Sequence, residues 1–407
     1  MTAVNPALKR GLSLFYAFRL LATSYVYMPI FMLFQASRGL TFSESLALGG
    51  IFSGVVVLVE VPTGVFADRV GRRRSMLLGA MTMVVSCAIV VRSHSFAELA
   101  IAEALAALSI ALCSGADSAY LFDFLRQHDR AHEYGRHESV ASAFHLLGSA
   151  FAFAASGFLA EIDLSLPYIV TAGIAGLAAI VACLMHDDRD LARSAPTTKQ
   201  VSTALGDVLR NPRLAWLVGY SAVVFVLVRA TVYLYQPYLH ARGLGLVAIG
   251  LLFASVYCVA SFVAYRTYAL RKRVGDELLL WGLLAIVAIS FLGLAGASSG
   301  PWLLALLCVQ AVANGIYSPL TKPLINAEIA DSRRRAAVLS VESMARRVAM
   351  GVFAPLVGLW GQSDVMILCG AVGLGGFALL AFARLRMNGT SLSRSVQAIA
   401  DPPSGGS

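Results

Sequence analysis

Long apolar runs, each close to the length that crosses a bilayer, dominate the chain and restrict what it can fold into. The runs over 44–67 and 75–92 are separated by a short loop with four arginines, Arg69 and Arg72–Arg74. A helix needs about 20 apolar residues to cross the hydrocarbon core, and guanidinium groups are very costly there. The two runs therefore predict two membrane-spanning helices joined by a loop at a water interface.

Ten further apolar runs extend this pattern over nearly the whole chain. Hydrophobic residues make up 58% of the 407 residues and charged residues 14%, against about 25% charged in soluble domains. The sequence predicts an all-α membrane protein with twelve spans. These lie at 12–35, 44–67, 75–92, 97–123, 138–160, 166–186, 214–239, 246–269, 277–296, 301–328, 336–360 and 364–386.

The distribution of lysine and arginine predicts the orientation of these spans. An even number of spans puts both chain ends on one side, and nearly all cations fall in the loops of that side. The other side holds only Arg38, Arg92 and Arg242. Positive loops stay in the cytoplasm, so both termini are expected there, with the protein in the plasma (bacterial inner) membrane. The net charge of +9 is spread over short loops, which argues for lipid and against nucleic acid as a partner.

The loop between the second and third spans carries a spaced motif, G-x-x-x-D-R-x-G-R-R. Its members are Gly64, Asp68, Arg69, Gly71, Arg72 and Arg73. This pattern resembles the signature of the major facilitator superfamily, although a basic loop that only sets topology is the alternative. The resemblance implies two pseudo-symmetric six-helix bundles that carry a small-molecule substrate by alternating access.

Short sequence repeats about 200 residues apart agree with two related halves. Tyr25-x-Tyr27-x-Pro29 recurs as Tyr233-x-Tyr235-x-Pro237, and Arg38-Gly39-Leu40 recurs as Arg242-Gly243-Leu244. We expect an N-terminal bundle over 1–186, a cytoplasmic linker over 187–213, a C-terminal bundle over 214–387 and a disordered cytoplasmic tail over 388–407. A short interfacial helix is expected at 200–210.

The sequence predicts no enzyme. It shows no nucleophile and base pair, no metal-ligand cluster and no phosphate-binding loop. The six cysteines lie in apolar runs without a C-x-x-C pair, so neither a disulfide nor a metal is expected. No cofactor is expected, with a proton gradient as the driving force, and the protein is expected to be a monomer.

Charged residues within spans are costly and therefore mark candidate sites. In the resembled family the second span faces the eleventh, so Glu60 and Asp68 are predicted to bond to Glu342, Arg346 and Arg347 as a gate between the bundles. A static clamp is the alternative.

Asp123 is expected to join this gate region by pairing with Arg72 or Arg73. The candidate proton carriers are Asp117, Glu60 and Glu103. The drug-exporter pattern would place an arginine in the fourth span and a proline in the fifth, and this chain has neither.

The candidate substrate cavity combines cations and aromatic residues. Arg19 and Arg229 occupy equivalent positions of the repeat and favour an anionic group; an ion pair with Glu103 or Asp117 is the alternative. Lys322 lies between Pro319 and Pro323, which predict a broken or kinked helix. The candidate aromatic lining residues are Tyr25, Tyr27, Tyr233, Tyr235, Tyr257 and Tyr317.

Three functions follow from these patterns. The first is a proton-coupled exporter of small amphipathic compounds. The second is an importer or facilitator of an organic anion that uses Arg19, Arg229 and Lys322. The third is a membrane sensor that binds a ligand on the same fold without transporting it.

Overall fold

The structure is a computed structural model that describes residues 6–114, 116–186, 198–297, 300–329, 335–360 and 364–387. Over these residues the regular structure is helical. The helices are α1 (Pro6–Ala22), α2 (Phe31–Ser37), α3 (Phe42–Val70), α4 (Arg72–Arg92), α5 (Phe96–Cys113), α6 (Ala116–Gln127), α7 (Tyr134–Ile162), α8 (Leu166–Leu184), α9 (Thr198–Arg210), α10 (Pro212–His240), α11 (Leu246–Val274), α12 (Asp276–Ala295), α13 (Gly300–Ala327), α14 (Arg335–Gly358) and α15 (Val365–Arg386), with one 3-10 turn at Ala131–Glu133. Most of the predicted linker, 187–197, and the predicted tail, 388–407, lie outside the described residues.

Ten helical segments of the described chain are long and apolar enough to cross a membrane. They coincide with ten of the twelve predicted spans, and α5 and α6 together form the fourth. This confirms the prediction of an all-α integral membrane protein. The eleventh predicted span is the continuous helix α14, which is not among the ten and carries Glu342, Arg346 and Arg347 in its middle.

The first predicted span, 12–35, is not one continuous helix in the structure. Helix α1 ends at Ala22 and α2 begins only at Phe31. The hydroxyls of Thr23 and Ser24 bond to carbonyl oxygens four residues earlier, at 2.6 Å in both cases, which competes with and bends a helix. Pro29 then supplies no N–H to continue the ladder. Serine, threonine and proline therefore interrupt the helix.

Gln236 of α10 bonds to the backbone on both sides of Pro29. Its Nε2 donates to the Met28 carbonyl oxygen at 2.9 Å, and its Oε1 accepts from the Met32 N–H at 2.8 Å. Gln236 has no solvent exposure. Because a non-helical backbone inside a membrane must find its partners within the protein, Gln236 helps to make the break in the first span tolerable, as does the Thr171 hydroxyl, which accepts from the Val26 N–H at 3.0 Å.

The helices form two compact units, which are described separately. Unit 1 comprises Met1–Thr197 and Tyr235–Tyr257, and unit 2 comprises Thr198–Leu234 and Cys258–Ser407. The core of unit 1 is built on Phe15, Phe18 and Tyr120, all at most 1% exposed. In unit 2 two buried aromatic side chains also bond to backbone: the Tyr220 hydroxyl donates to the Leu280 carbonyl oxygen at 2.7 Å and the Trp216 Nε1 donates to the Leu380 carbonyl oxygen at 2.9 Å.

Two turns in the described chain reproduce the repeat seen in the sequence. Gly39 and Gly243 both adopt positive φ, at 85° and 82°, a conformation that glycine adopts without steric cost. In each turn the following leucine N–H bonds to a carbonyl oxygen five residues back at 3.2 Å. Each preceding arginine lies over the aromatic ring four residues earlier, Arg38 over Phe34 at 5.0 Å and Arg242 over Tyr238 at 3.7 Å. The two halves therefore share local geometry as well as sequence.

The short helix predicted at 200–210 is present as α9. Val201, Ala204 and Val208 form its buried face, and α9 packs against α14 within unit 2. Leu205 and Leu209 lie on another face and are 48% and 70% exposed. Helix α9 therefore has one apolar face that is buried and a neighbouring apolar strip, at Leu205 and Leu209, that is exposed.

The bonds of Gln236 lead to a stability prediction. Gln236→Leu keeps a similar volume but leaves the Met28 carbonyl and the Met32 N–H without their partner, so it should destabilise the protein by about 1–3 kcal/mol. Thermal unfolding of the purified protein in detergent would measure the change. Ser255→Ala removes an exposed hydroxyl that bonds only within its own helix and should have little effect. Equal stability of the two variants would contradict this role for Gln236.

Candidate functional site

A cluster of three charged side chains lies inside unit 1, and we call it the charge cluster. It consists of Arg19 of α1, Asp117 of α6 and Glu138 of α7. The Arg19 Nη1 donates to the Asp117 Oδ2, and the Arg19 Nη2 lies 3.7 Å from the Glu138 Oε1. The three side chains are 15%, 12% and 25% exposed. Partly buried charges on membrane-spanning helices need partners, either one another or the water or ligand of a cavity, and therefore mark a candidate functional site.

The start of α6 positions the two carboxylates of the charge cluster. Asp117 lies in the first turn of α6, where free N–H groups and the helix dipole favour a negative charge. The Ser118 N–H donates to the Asp117 Oδ1 at 2.6 Å, and the Ser118 hydroxyl donates to the Glu138 Oε1 at 3.1 Å. Ser118 therefore links the carboxylates from two helices.

The charge cluster is incompletely paired over the described part of the chain. The Glu138 Oε2 and the Arg19 Nε are buried and have no hydrogen-bond partner there. The His145 Nδ1 is also buried without a partner. His145 is seven residues after Glu138 on α7, so the two residues share a helix face. Unpaired polar atoms thus follow one face of α7.

The sequence predicted part of this cluster. The structure pairs Arg19 with Asp117, one of the two acidic partners considered for it. Glu103 instead lies near Gln35, whose Nε2 is 3.5 Å from the Glu103 Oε1. The sequence analysis did not single out Glu138, although it is the first residue of the fifth predicted span. An acidic residue inside a predicted span was the available signal.

A second polar group lies next to the charge cluster in sequence. The Tyr16 hydroxyl is 2.5 Å from the His137 Nδ1, and the His137 Nε2 is 3.3 Å from the Glu133 Oε2. The Arg130 Nε donates to the Glu133 Oε1 at 2.7 Å. Tyr16 is three residues before Arg19 on α1, which makes them neighbours on that helix. The side chains form a connected polar path that ends at the 37% exposed Arg130.

The motif loop is organised by a buried arginine. Arg72 is 9% exposed, and its Nη1 bonds to the Asp123 Oδ2 and to the Ala119 carbonyl oxygen, the latter at 2.7 Å. Asp68 lies 3.7 Å from the Arg72 Nη2, and Arg126 lies 3.3 Å from Asp123. The sequence analysis considered Arg72 and Arg73 as partners of Asp123, and in the structure Asp123 pairs with Arg72. This network binds the α3–α4 turn to α6.

The other motif residues shape and cap the same turn. Gly71 adopts a φ of 102° between α3 and α4, which a residue with a Cβ rarely adopts. Arg73 donates to the carbonyl oxygens of Cys183 at 3.0 Å and Met185 at 3.3 Å, at the end of α8, where a cation is favoured. Arg69 is exposed, and Gly64 lies within α3.

The predicted gate residues of α14 are bonded within unit 2. Glu342 is 5% exposed; it accepts from the Ser221 hydroxyl at 2.5 Å and lies 2.8 Å from the Arg346 Nε. The Tyr317 hydroxyl is 2.8 Å from the Ser221 hydroxyl. Arg347 on α14 and Glu60 on α3 are both partly buried. Their role in a gate stays a prediction.

The remaining cationic candidates are placed differently from each other. The Arg229 guanidinium lies 5.9 Å from the centre of the Tyr233 ring, and no described carboxylate forms an ion pair with it. Lys322 is exposed on α13. That helix runs unbroken through Pro319 and Pro323, so the helix break considered for this position does not occur.

Aromatic candidates of unit 1 form close ring pairs. Tyr27 stacks on Tyr168 at 4.6 Å, and Tyr257 meets Phe153 edge-on at 4.7 Å. Tyr235 lies 6.4 Å from Phe253. Tyr25 is 6.1 Å from Tyr27 and borders a small cavity of about 10 Å³, which has room for about one water molecule. These rings serve packing in the described arrangement, and a role in a substrate cavity stays a prediction.

The buried pair at the motif loop leads to a prediction. Asp123→Ala would leave Arg72 buried without its carboxylate, which should cost about 3–5 kcal/mol. Arg126→Ala removes a partner that is one third exposed and should cost less than about 1 kcal/mol. Heating membranes before size-exclusion chromatography would measure both. If Asp123→Ala were as stable as Arg126→Ala, the buried pair would not be what holds this loop.

Comparison with known proteins agrees with this architecture. A model of the Major Facilitator Superfamily matches residues 12–354. Two solved structures share the fold: a mutant of the nucleoside transporter NupG (TM-score 0.77, 12% identity, 94% of this chain and 100% of that chain) and a bacterial homolog of the human lysosomal transporter Spinster in an inward-facing, occupied conformation (TM-score 0.75, 13% identity, 94% and 98%).

Sequence relatives match a shorter part of the chain. The quinolone resistance protein NorA of Staphylococcus aureus is 22% identical over 162 residues, 40% of this chain and 41% of that protein. The uncharacterized MFS-type transporter YxaM of Bacillus subtilis (strain 168) is 26% identical over 161 residues, 39% of each. The match thus spans about two fifths of the length of these relatives. The family model covers far more, and on that match the chain belongs to the Major Facilitator Superfamily.

Proposed function

We propose that this transporter exports small amphipathic compounds in exchange for protons. The observation that carries the proposal is the charge cluster, in which two carboxylates share one guanidinium on apolar helices. Charged side chains inside membrane proteins are retained where they serve ion, proton or substrate pathways. An acidic excess of one charge is what a proton can neutralise, so the cluster suits proton coupling better than a purely structural ion pair would.

The similarity to NorA supports export and an amphipathic substrate. NorA is named for quinolone resistance, and quinolones combine aromatic rings with charged groups. The matched segment of 162 residues leaves more than half of each chain outside the comparison, so direction and substrate are proposals for this chain. Among the solved relatives, NupG is a nucleoside transporter and the other is a homolog of a lysosomal transporter, which shows how widely one fold is used.

The remaining predictions fit this proposal as follows. We place the protein in the plasma (bacterial inner) membrane as a monomer with both termini in the cytoplasm, as the lysine and arginine distribution indicates. The two bundles over 1–186 and 214–387 would expose a central site alternately to each side. Asp117, Glu60 and Glu103 are the proton carriers predicted from the sequence, and Asp117 is the one that belongs to the charge cluster.

Proteoliposomes with an imposed pH gradient would test the exchange. A pH-sensitive dye trapped inside should report proton movement when the amphipathic cation tetraphenylphosphonium or the quinolone norfloxacin is added. Liposomes without protein supply the control for passive leakage. Uptake of the compound without proton movement would exclude proton coupling. Binding with neither uptake nor proton movement would favour the sensor.

A second candidate function is transport of an organic anion, and Arg229 is the observation that favours it. It is a partly buried arginine of a membrane-spanning helix whose described contact is an aromatic ring rather than a carboxylate. A guanidinium in this state retains its hydrogen-bond donors for a carboxylate or phosphate of a substrate.

A pair of arginine variants would test the anion function. Arg229→Ala should reduce uptake of benzoate about tenfold or more, as expected when a charge-assisted bond is lost, and should leave tetraphenylphosphonium uptake unchanged. Arg266→Ala is the matched control, because Arg266 is exposed and also lies over an aromatic ring, at 5.3 Å from Phe262. Equal benzoate uptake by the two variants and the unaltered protein would remove Arg229 from an anion site.

A further inference from the structure

The last three turns of α11 carry a surface of aromatic and cationic side chains. Tyr265 and Tyr268 are 81% and 66% exposed, although they belong to a helix that is long and apolar enough to cross a membrane. Lys272 and Arg273 are exposed beside them. At about 3.6 residues per turn, these four side chains fall within an arc of about 140° around the helix. We call this surface the α11 patch.

The opposite face of the same turns is bonded to the protein. Thr267 has no solvent exposure, and the Arg271 Nη1 donates to the Pro319 carbonyl oxygen of α13 at 3.4 Å. The Arg271 Nε and Nη2 donate to the two carboxylate oxygens of Asp276 at 2.6 and 3.0 Å. The first of the three consecutive cations at 271–273 is therefore structural, and the other two remain on the exposed side.

The acidic residues next to the α11 patch are already engaged by other cations. Asp276 accepts from the structural arginine described above, and the Glu277 Oε1 lies 3.8 Å from the Arg384 Nη2. Neither Lys272 nor Arg273 forms an ion pair with a carboxylate of the residues that the structure describes. The α11 patch thus keeps two positive charges that no described side chain balances.

The length of α11 places the patch at a membrane surface. The helix has 29 residues, about 43 Å at about 1.5 Å per residue, whereas the hydrocarbon core is about 30 Å thick. Its first stretch, 246–265, contains no Asp, Glu, Lys or Arg, and the length of this stretch, about 30 Å, matches the core. Lys272 and Arg273 lie beyond that stretch, where the hydrocarbon has ended.

The direction of the side chains brings the Lys272 ammonium to the level of lipid headgroups. Helical side chains lean toward the N-terminus of their helix, and the Lys272 Nζ lies 4.7 Å from the centre of the Tyr268 ring, one turn closer to the membrane. Tyr268 is about 4–5 Å past the uncharged stretch, within a headgroup layer of about 5–7 Å. Arg266 leans in the same way over Phe262, at 5.3 Å, and so points toward the hydrocarbon instead.

We propose that the α11 patch binds the headgroup of an anionic phospholipid. An ammonium and a guanidinium form charge-assisted hydrogen bonds to phosphate oxygens, and tyrosine rings are favoured at the headgroup level. A zwitterionic headgroup carries its own cation and leaves the two charges of the patch unbalanced, whereas an anionic lipid neutralises them. This site is separate from the proposed function, because lipid binding here depends on neither proton exchange nor the transported compound.

Native mass spectrometry of the purified full chain would test the site with two lipids that share the same acyl chains. Dioleoylphosphatidylglycerol is anionic, and dioleoylphosphatidylcholine is zwitterionic. Each cation near a membrane surface is expected to contribute about fivefold to the binding of anionic lipid. The unaltered protein should therefore bind its first phosphatidylglycerol about 20- to 30-fold more tightly than phosphatidylcholine. Lys272→Gln and Arg273→Gln should each lower this preference about fivefold, and the double variant should lose most of it.

Arg386→Gln is the matched control, because it also removes one exposed cation at a helix end. Arg386 ends α15 and lies over the Phe382 ring at 4.4 Å, as Lys272 lies over its tyrosine. Among the described residues, however, no second exposed cation accompanies it at that helix end. The preference for phosphatidylglycerol should change less than about twofold in this variant, since a lone cation does not form a two-cation phosphate site.

Several results would overturn the proposal. One is equal binding of the two lipids by the unaltered protein, and another is a preference that the folded double variant retains or that Arg386→Gln lowers as much as Lys272→Gln does. Displacement of the lipid by an equal concentration of glycerol 3-phosphate would assign the patch to a soluble anion instead. Size-exclusion chromatography would establish folding. If the double variant does not fold, the unaltered protein still decides, because raising ammonium acetate from about 0.1 to about 1 M should remove most of the preference, and a preference that resists salt would contradict the proposed site.

Discussion

The constraint on which this structure depends is that polar groups inside a bilayer must find their partners within the protein. Helices pair nearly all of the backbone N–H and C=O groups with one another. Where a backbone group or a charged side chain lacks such a partner, another residue must supply it. Where α1 stops, Gln236 replaces the missing backbone partners on both sides of Pro29. Where charges enter the apolar helices, Arg19 with Asp117 and Arg72 with Asp123 neutralise one another.

The charged networks of the described chain differ in their charge balance. At the motif loop Asp68 and Asp123 face Arg72 and Arg126, and on α14 Glu342 contacts Arg346. The charge cluster of unit 1 instead sets two carboxylates against one guanidinium. This acidic excess is why the proposed function rests on the cluster of Arg19 and not on the arginine-rich motif.

Hydropathy and loop charge predicted much of the fold, because the bilayer imposes the length and composition of each span. The spans, the short helix α9 and the repeated turns could all be read from the chain. The break in the first span was not predicted, because its apolar composition hides the competition between Thr23, Ser24 and the helix backbone. Nor could the sequence foresee Gln236 as the partner of that break, since the contact joins residues more than 200 positions apart.

The candidate site was predicted less completely than the fold, also for a physical reason. Arg19 and Asp117 stood out as charges within apolar runs, but which acid pairs with which base depends on the rotation of each helix. Glu138 was hidden by its position at the edge of a span, where an acidic residue is unremarkable in sequence. Only packing of α1, α6 and α7 shows that this edge position belongs to the interior cluster.

The paired turns at Gly39 and Gly243 have a practical consequence. The same arrangement of positive φ, capping leucine N–H and arginine over an aromatic ring occurs once in each half of the chain. The backbone of the two turns is therefore nearly identical, and the arginine lies closer to the ring in the second turn. Differences between the two turns in spectroscopy or labelling would report on their side chains and surroundings rather than on the backbone.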